Sequence, residues 1–266
     1  MNPNPILQQL TVVIRTFNNP DITSAVENYL NMGVGRIIIV VNEAQDNSVT
    51  TSSLEKFRNN PRLQFLIISE NYTWCNALNR ALNSILINNA AKTSAAIQYI
   101  LNASVEAQFT QNHIETMLQQ LHIHEDVAVV GTAFAGYQII NGESKSIHLG
   151  DSYKHPRNTG MIIALGKNFP SLYFDTRCDT LGGMEDIDFL LRMLATTDLK
   201  YKLLPLDVPL RVGVNHDQQA KEKREQAAIK QIVSDWLSWF PADTPQATRI
   251  RSSIESMGLK QHDFPA

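Results

Sequence analysis

Cysteine is nearly absent: Cys75 and Cys178 are the only two in 266 residues. Two thiols without metal-ligand spacing make neither a disulfide framework nor a metal knuckle. Both are expected to be buried small apolar side chains in a reducing compartment. Long hydrophobic runs are also missing. The longest, RIIIVV and LQFLIIS, have the length of strands, far short of the ~20 apolar residues of a membrane helix, so no membrane span is expected. The first residues, MNPNPILQQL, carry no basic segment leading into an apolar stretch. No secretory signal is therefore expected, and a cytoplasmic location follows. On that route the sequons Asn71-Tyr72-Thr73 and Asn102-Ala103-Ser104 are chance matches.

Charge of one sign is lacking too. The formal net charge of −3 offers no basic surface for duplex nucleic acid, so no nucleic-acid partner is expected. There is no G-x-G-x-x-G, no P-loop and no G-x-S-x-G elbow. Their absence argues against a dinucleotide dehydrogenase, a P-loop ATPase and a hydrolase of the nucleophile-elbow type.

What is present is an ordinary globular balance, 43% hydrophobic and 18% charged, enough to bury a large core. LTVVIRTFNN reads as a buried parallel strand running into turn residues. PDITSAVENYLNMGVG reads as a helix, with Pro20 and Asp21 at its start and Gly33 and Gly35 at its end. The strand of RIIIVVNEAQDNS, a short helix in SVTTSSLEKFRNN and the strand LQFLIISEN follow. TWCNALNRALNSILINN is a helix with Trp74, Leu78, Leu82, Ile85 and Leu86 at helical spacing. YILNASVEAQ is a fourth strand that stops at Asn102-Ala103-Ser104. Four strand–helix alternations in about 110 residues predict right-handed βαβ crossovers and a mostly parallel sheet.

The second half is less regular. It offers a helix (TQNHIETMLQQLHIH), a strand (VAVVGTAFAGYQII) with a hairpin turn at NGE, and a polar loop-rich stretch (SKSIHLGDSYKHPRNTG). A strand (GMIIALGKNF), the acidic segment DTRCDTLGGMEDIDFLLRML, a strand-like YKLLPLDVPLRVGVNHD and a charged helix ending in Trp236, Trp239 and Phe240 complete it. That aromatic end is expected to pack onto the core. With no repeat or linker, the expectation is one α/β domain over 1–266. It divides into a nucleotide-binding half of about 9–110, an acceptor-side half of about 111–216 and a C-terminal helical extension of 217–266.

In GGMEDIDF, two glycines permit close backbone approach or positive φ just before a helix. Glu185 and Asp186 then fall in the first turn, where the helix macrodipole favours carboxylates. Asp188 and Arg192, four apart, can pair along the helix. A carboxylate at a pocket mouth can take the proton from a hydroxyl as it attacks; an acidic first turn also serves helix capping alone.

The ordered series RTFNNPD, VVNEAQDNS, ENYTWCNALNRAL, YILNASVE and FDTRCDTLGGMEDIDFLLRM, over about residues 11–216, resembles the family 2 glycosyltransferases. These use a Rossmann-like GT-A fold and nucleotide-sugar donors. Thr16-Phe17-Asn18 stands where the family has Thr-Tyr-Asn, and Asn42-Glu43 where an acidic pair meets the base or ribose. Asn71, Thr73 and Asn79 match an Asn-x-Gly-x5-Asn pattern with the glycine missing. Gly182-Gly183-Met184-Glu185-Asp186-Ile187-Asp188, after Phe174-Asp175, is close to the family's Gly-x-Glu-Asp-x-Asp helix start.

The resemblance implies an inverting transferase with Asp186 as general base and Glu185 as its neighbour or substitute. Arg15, Thr16, Phe17, Asn18, Asn42, Glu43, Asn79, Asn102, Ser104 and Gly183 would bind the donor. A UDP- or GDP-sugar is the implied donor, with a glycan, lipid-linked or protein acceptor. The chain departs from the family where Asn102-Ala103-Ser104 replaces the metal-binding Asp-x-Asp. Removing both carboxylates weakens any hold on Mn²⁺ or Mg²⁺. Three outcomes stay open at that point. The enzyme works without metal, with Arg15, Lys154 or Arg157 facing the diphosphate; it holds metal weakly through Glu106 and His216; or the protein binds a nucleotide, glycan or protein partner without transfer. A nucleotidyltransferase fits less well, since it too would want metal-binding acids.

Overall fold

The computed structural model describes residues 4–16, 19, 21–42, 52–68, 73–91, 98–141, 143–147, 155–167, 172–211 and 218–259. Strand β1 (Leu10–Thr16) is buried along its whole length. Helix α1 (Ile22–Met32) ends at Gly33, whose φ of 81° lets the chain turn out of the helix. Strand β2 (Arg36–Asn42) follows, then a 3-10 turn at Glu55–Phe57 and strand β3 (Leu63–Ile68). Helix α2 (Trp74–Ala91) leads to strand β4 (Tyr99–Ala103). Helix α3 (Gln111–Ile123) starts from a reciprocal cap between Thr110 and His113. Strands β5 (Val127–Ile140), β6 (Glu143–Ile147) and β7 (Met161–Ala164) come next. Helices α4 (Arg177–Leu181) and α5 (Glu185–Thr196), strand β8 (Lys200–Arg211) and helices α6 (Gln218–Ser238) and α7 (Pro245–Ser256) complete the order.

The strands form one mixed sheet in the order β3-β2-β1-β4-β7-β5-β6, with β8 along the other side of β5. β1 to β4 are mutually parallel, β7 runs antiparallel to both β4 and β5, and β8 is parallel to β5. This is an α/β architecture with mostly parallel central strands flanked by helices, compatible with a Rossmann-like fold. Strand alternation splits the core in two. Val13, Ile38, Ile100 and Ile163 face α2, α5, α6 and α7, whereas Val12, Ile14, Ile39 and Leu101 face α1 and α3.

Several sequence expectations need correction. Residues Ser144–Ile147, read as part of a polar loop, form β6 together with Glu143 of the expected hairpin turn, and pair with Gly136–Ile140. A strand on the sheet margin tolerates polar side chains because much of it meets water. Of the apolar stripe expected on α2, Leu78, Leu82 and Ile85 are buried, joined by Cys75 and Ala81, whereas Trp74 and Leu86 are exposed. Both cysteines are buried and free, as expected. At the end of α6, Trp236 is buried and stacks edge-on with Trp239, which is exposed. Among the described residues no helix is long and apolar enough to cross a membrane.

Candidate functional site

Strand β1 is followed in sequence by strands added on one side and then by β4 on the other, so the chain reverses its direction of winding between β1 and β4. In open α/β sheets such a switch point leaves a crevice beyond the carboxyl ends of the strands. A cleft of about 270 Å³ lies there, lined by Arg15 and Thr16 from β1, Val40 from β2, Trp74 and Ala77 from α2, and Ser104, Val105 and Glu106 after β4.

Arg15 is buried rather than a surface charge. Its guanidinium lies over the Trp74 indole, and its Nη1 donates to the Trp74 carbonyl at 3.5 Å. Burial pulls its pKa down to about 9, against the opposing pull of Glu185, Cys75 and Asp179. Trp74 in turn donates its indole Nε1 to Glu185 Oε1 at 2.7 Å. The N-terminus of α2 is held from across the fold, because both Asp179 carboxylate oxygens accept the Cys75 amide, at 3.1 and 3.3 Å.

Glu185 and Asp186 open α5. Gly182, Gly183 and Met184 all have positive φ, at 98°, 116° and 67°, which turns the chain sharply from α4 into α5. Gly183 donates its amide to Cys178 at 2.8 Å, closing α4. The glycine expected to bind donor is thus the hinge between two helices and is not part of the cleft wall described above.

The two carboxylates are not equivalent. Asp186 Oδ2 takes the Asn158 amide and Arg157 Nε, both at 3.1 Å, and Oδ1 takes the Ile187 amide at 2.9 Å. Arg157 also reaches Glu225 of α6, at 3.4 Å. Glu185 commits only one oxygen, Oε1, which accepts from Trp74 and from Asn158 Nδ2; no hydrogen bond to Oε2 is found among the described residues. A close approach places Asn158. A Cβ at Gly131 of β5 would overlap Pro156, so that glycine lets segment 155–160 lie against the sheet.

Asn102, at the end of β4, donates Nδ2 to Asn158 Oδ1. The end of β4 is therefore wired through Asn158 to Glu185. Among the described residues, Ser104 Oγ, Thr16 Oγ1 and Arg15 Nε of the cleft wall, and Asn102 Oδ1 at the end of β4, are buried with no hydrogen-bond partner. Three such atoms in the wall of one cleft are unusual in a folded protein and mark a place where a ligand can satisfy them.

Asn79, expected to contact donor, does something else. Its side chain clamps the Phe174 backbone, donating to the carbonyl and accepting from the amide at 2.7 Å each. Asp188 and Arg192 pair at 2.9 Å, as their spacing predicts, and Trp236 also donates to Asp188 at 2.9 Å. Burial pushes the Asp188 carboxyl up, with Arg192 opposing. Asn42 closes β2 opposite Ile68; Phe17, Asn18, Glu43, Lys154 and His216 lie outside the described residues. The sequence reading missed Trp74, Asn158 and Asp179 as site builders. The first stands at helical spacing with Leu78 and Leu82, so the sequence does not set it apart from the apolar stripe.

A divalent cation would need hard anionic oxygens. At the end of β4 the donors are the Asn102 amide, the Ser104 hydroxyl and Glu106, which accepts from Asn19 Nδ2 at 3.3 Å. Among the described residues no three His, Cys, Asp or Glu side chains gather to hold a metal. Among the described residues this end of β4 thus offers one carboxylate and two neutral oxygens, a weaker donor set for Mn²⁺ or Mg²⁺ than a pair of carboxylates. No protein-family model matches the chain, and no curated protein matches it.

Proposed function

We propose that this protein is a glycosyltransferase that moves a sugar from a nucleotide-sugar, with UDP- and GDP-sugars the first donors to try, to an acceptor hydroxyl with inversion. The observation that carries the reading is the cleft at the switch point with the Glu185 carboxylate fixed beside it through Trp74. The donor would lie across the ends of β1, β2 and β4. The acceptor oxygen forms its bond to the anomeric carbon as the bond from that carbon to the diphosphate oxygen breaks. The nucleoside diphosphate leaves with the electron pair, and the acceptor proton passes to a carboxylate.

The geometry favours Glu185 over Asp186 for that proton. Asp186 is 2% exposed and spends its oxygens on Arg157, Asn158 and Ile187, whereas Glu185 keeps Oε2 uncommitted. Asp186 then serves to hold the 157–158 segment against the start of α5. A positioned base of this kind is worth about 10²–10⁴ in rate.

Calorimetric titration with UDP, GDP and CDP, each with and without Mn²⁺, tests the site. Saturable binding of one nucleotide supports the reading, and no binding of any of them ends it. Glu185→Gln should cut nucleotide release from the matching nucleotide-sugar by about 100-fold or more with nucleotide affinity unchanged. Full activity of that variant would remove Glu185 as base.

A second reading is a protein that binds a nucleotide or glycan without transfer, which the ion-paired Asp186 and the missing metal donors favour. It predicts nucleotide binding with no release from any nucleotide-sugar, with or without glycan acceptors.

A further inference from the structure

Trp74 is 46% exposed, in the wall of a cleft where Arg15, Thr16, Val40 and Ala77 are buried. Its ring has little freedom. The Arg15 guanidinium covers one face, and the indole N–H is bonded to Glu185 at 2.7 Å. A rigid aromatic surface, fixed beneath and along one edge and open elsewhere, binds a flat apolar partner at little cost in side-chain entropy. The cation behind the ring draws π density toward itself, which disfavours a second cation on the open surface. The Glu185 carboxylate at the ring edge disfavours an anion as well, and a neutral partner remains.

Next to this ring stands a carboxylate with one uncommitted oxygen, and the same cleft wall carries the Thr73 hydroxyl and the Glu106 carboxylate. Apolar packing on one side and hydroxyl-seeking groups around it match a pyranose, which has an axial C–H face and a rim of hydroxyls. We infer that Trp74 is the platform on which the ring of a carbohydrate acceptor packs, with its reacting hydroxyl turned toward Glu185. The acceptor is thus a glycan, and not a polypeptide or lipid hydroxyl. This rests on the transferase reading of the cleft. A nucleobase could also stack on an indole, but Trp74 touches the very carboxylate that would take the acceptor's proton, which places the acceptor there.

The test uses the full chain labelled with ¹⁵N. Its three tryptophans give three indole N–H signals, and Trp74→Phe, which keeps the ring and deletes the N–H, assigns the Trp74 signal. The probes are UDP, GDP and CDP, then methyl β-glucoside, cellobiose, lactose, mannobiose and N,N′-diacetylchitobiose, each added with the nucleotide that binds. The expected result is that at least one sugar moves the Trp74 signal, that the nucleotides alone do not, and that Trp74→Ala weakens that sugar by about tenfold or more while Trp74→Phe weakens it by about threefold or less.

Nucleotide binding with no sugar moving the Trp74 signal overturns the platform and leaves the transferase reading standing. A nucleotide alone moving that signal as far as any sugar does overturns it as well, by giving the ring to the base. No nucleotide binding at all ends the transferase reading, and the platform with it. Because the signal shift is read in the unaltered protein, the outcome stands even where Trp74→Ala does not fold.

Discussion

His155 should make this protein lose stability on mild acidification. The imidazole is 1% exposed, in the segment that also carries Arg157 and Asn158. Burial pushes its pKa down to about 4, outweighing Asp186, Glu225 and the Met257 backbone, which favour the protonated ring; Arg157 adds to the depression. In the unfolded chain the same ring titrates near 6.5. Above that value both states are neutral and the full stability is present. As pH falls below it the unfolded chain takes up a proton that the folded one refuses, and the difference continues to grow until the folded pKa is reached. Between about pH 7.5 and about pH 5 the loss comes to about 2 kcal/mol. Urea denaturation across that range should show it, and His155→Gln, which cannot take a proton, should flatten the slope by that amount. The ¹H shift of the His155 ring should also stay that of neutral imidazole at about pH 5. Equal slopes in the two proteins, or a ring that protonates near 6.5 in the folded state, would refute the reasoning. Asp188 acts in the opposite sense, since its carboxyl is pushed up and favours the folded state as it protonates. The subtraction against His155→Gln removes that contribution.

Asn79→Ala deletes both hydrogen bonds to Phe174, whose side chain is buried and stacked on Phe189. The expected cost is about 2–3 kcal/mol, read as a lower urea midpoint, with nucleotide affinity unchanged; a loss of affinity without loss of stability would return Asn79 to the binding site. Asp188→Asn leaves the buried Arg192 without its charge partner and should cost about 3–5 kcal/mol, while a variant as stable as the parent would show that Arg192 finds another partner. Gly183→Ala forces a side chain into φ 116° and should lower stability by about 1–3 kcal/mol, checked by thermal melting.

The first half of the fold is legible because each signal there is local. β-Branched runs ending in Asn, Asp and Gly mark β1 to β3, and Gly33 closes α1 where it stands in the sequence. Direction is less legible. Four apolar residues, Met161–Ala164, make β7 a strand but say nothing of its running antiparallel to β4, which depends on how the preceding chain returns. α7 lies within the helical extension expected over 217–266, but its polar sequence hides its bounds, although Thr244 followed by Pro245 is a helix-start signal and the Thr244 side chain does accept the Ala247 amide. In the candidate site, the Asp188–Arg192 pair was readable since both lie on one helix. The partners of Asp186 and Glu185 were not, for they join residues 27 to 111 positions apart. Nothing in the sequence brings Asn79 to the Phe174 backbone, 95 positions away, in place of the expected donor.

Arg157 touches Asp186 with one nitrogen and Glu225 with another, and His155 lies against the end of α7. Residues 218–259 therefore share the job of keeping the first turn of α5 in place, although none of them lines the cleft. The same helices supply Ile229, Ile232, Val233, Trp236, Ile250 and Ile254 to the core that packs α2 and α5 on the sheet. Scaffold and chemistry thus hang on one C-terminal segment, and a change there reaches the stability of the sheet and the setting of Asp186 together.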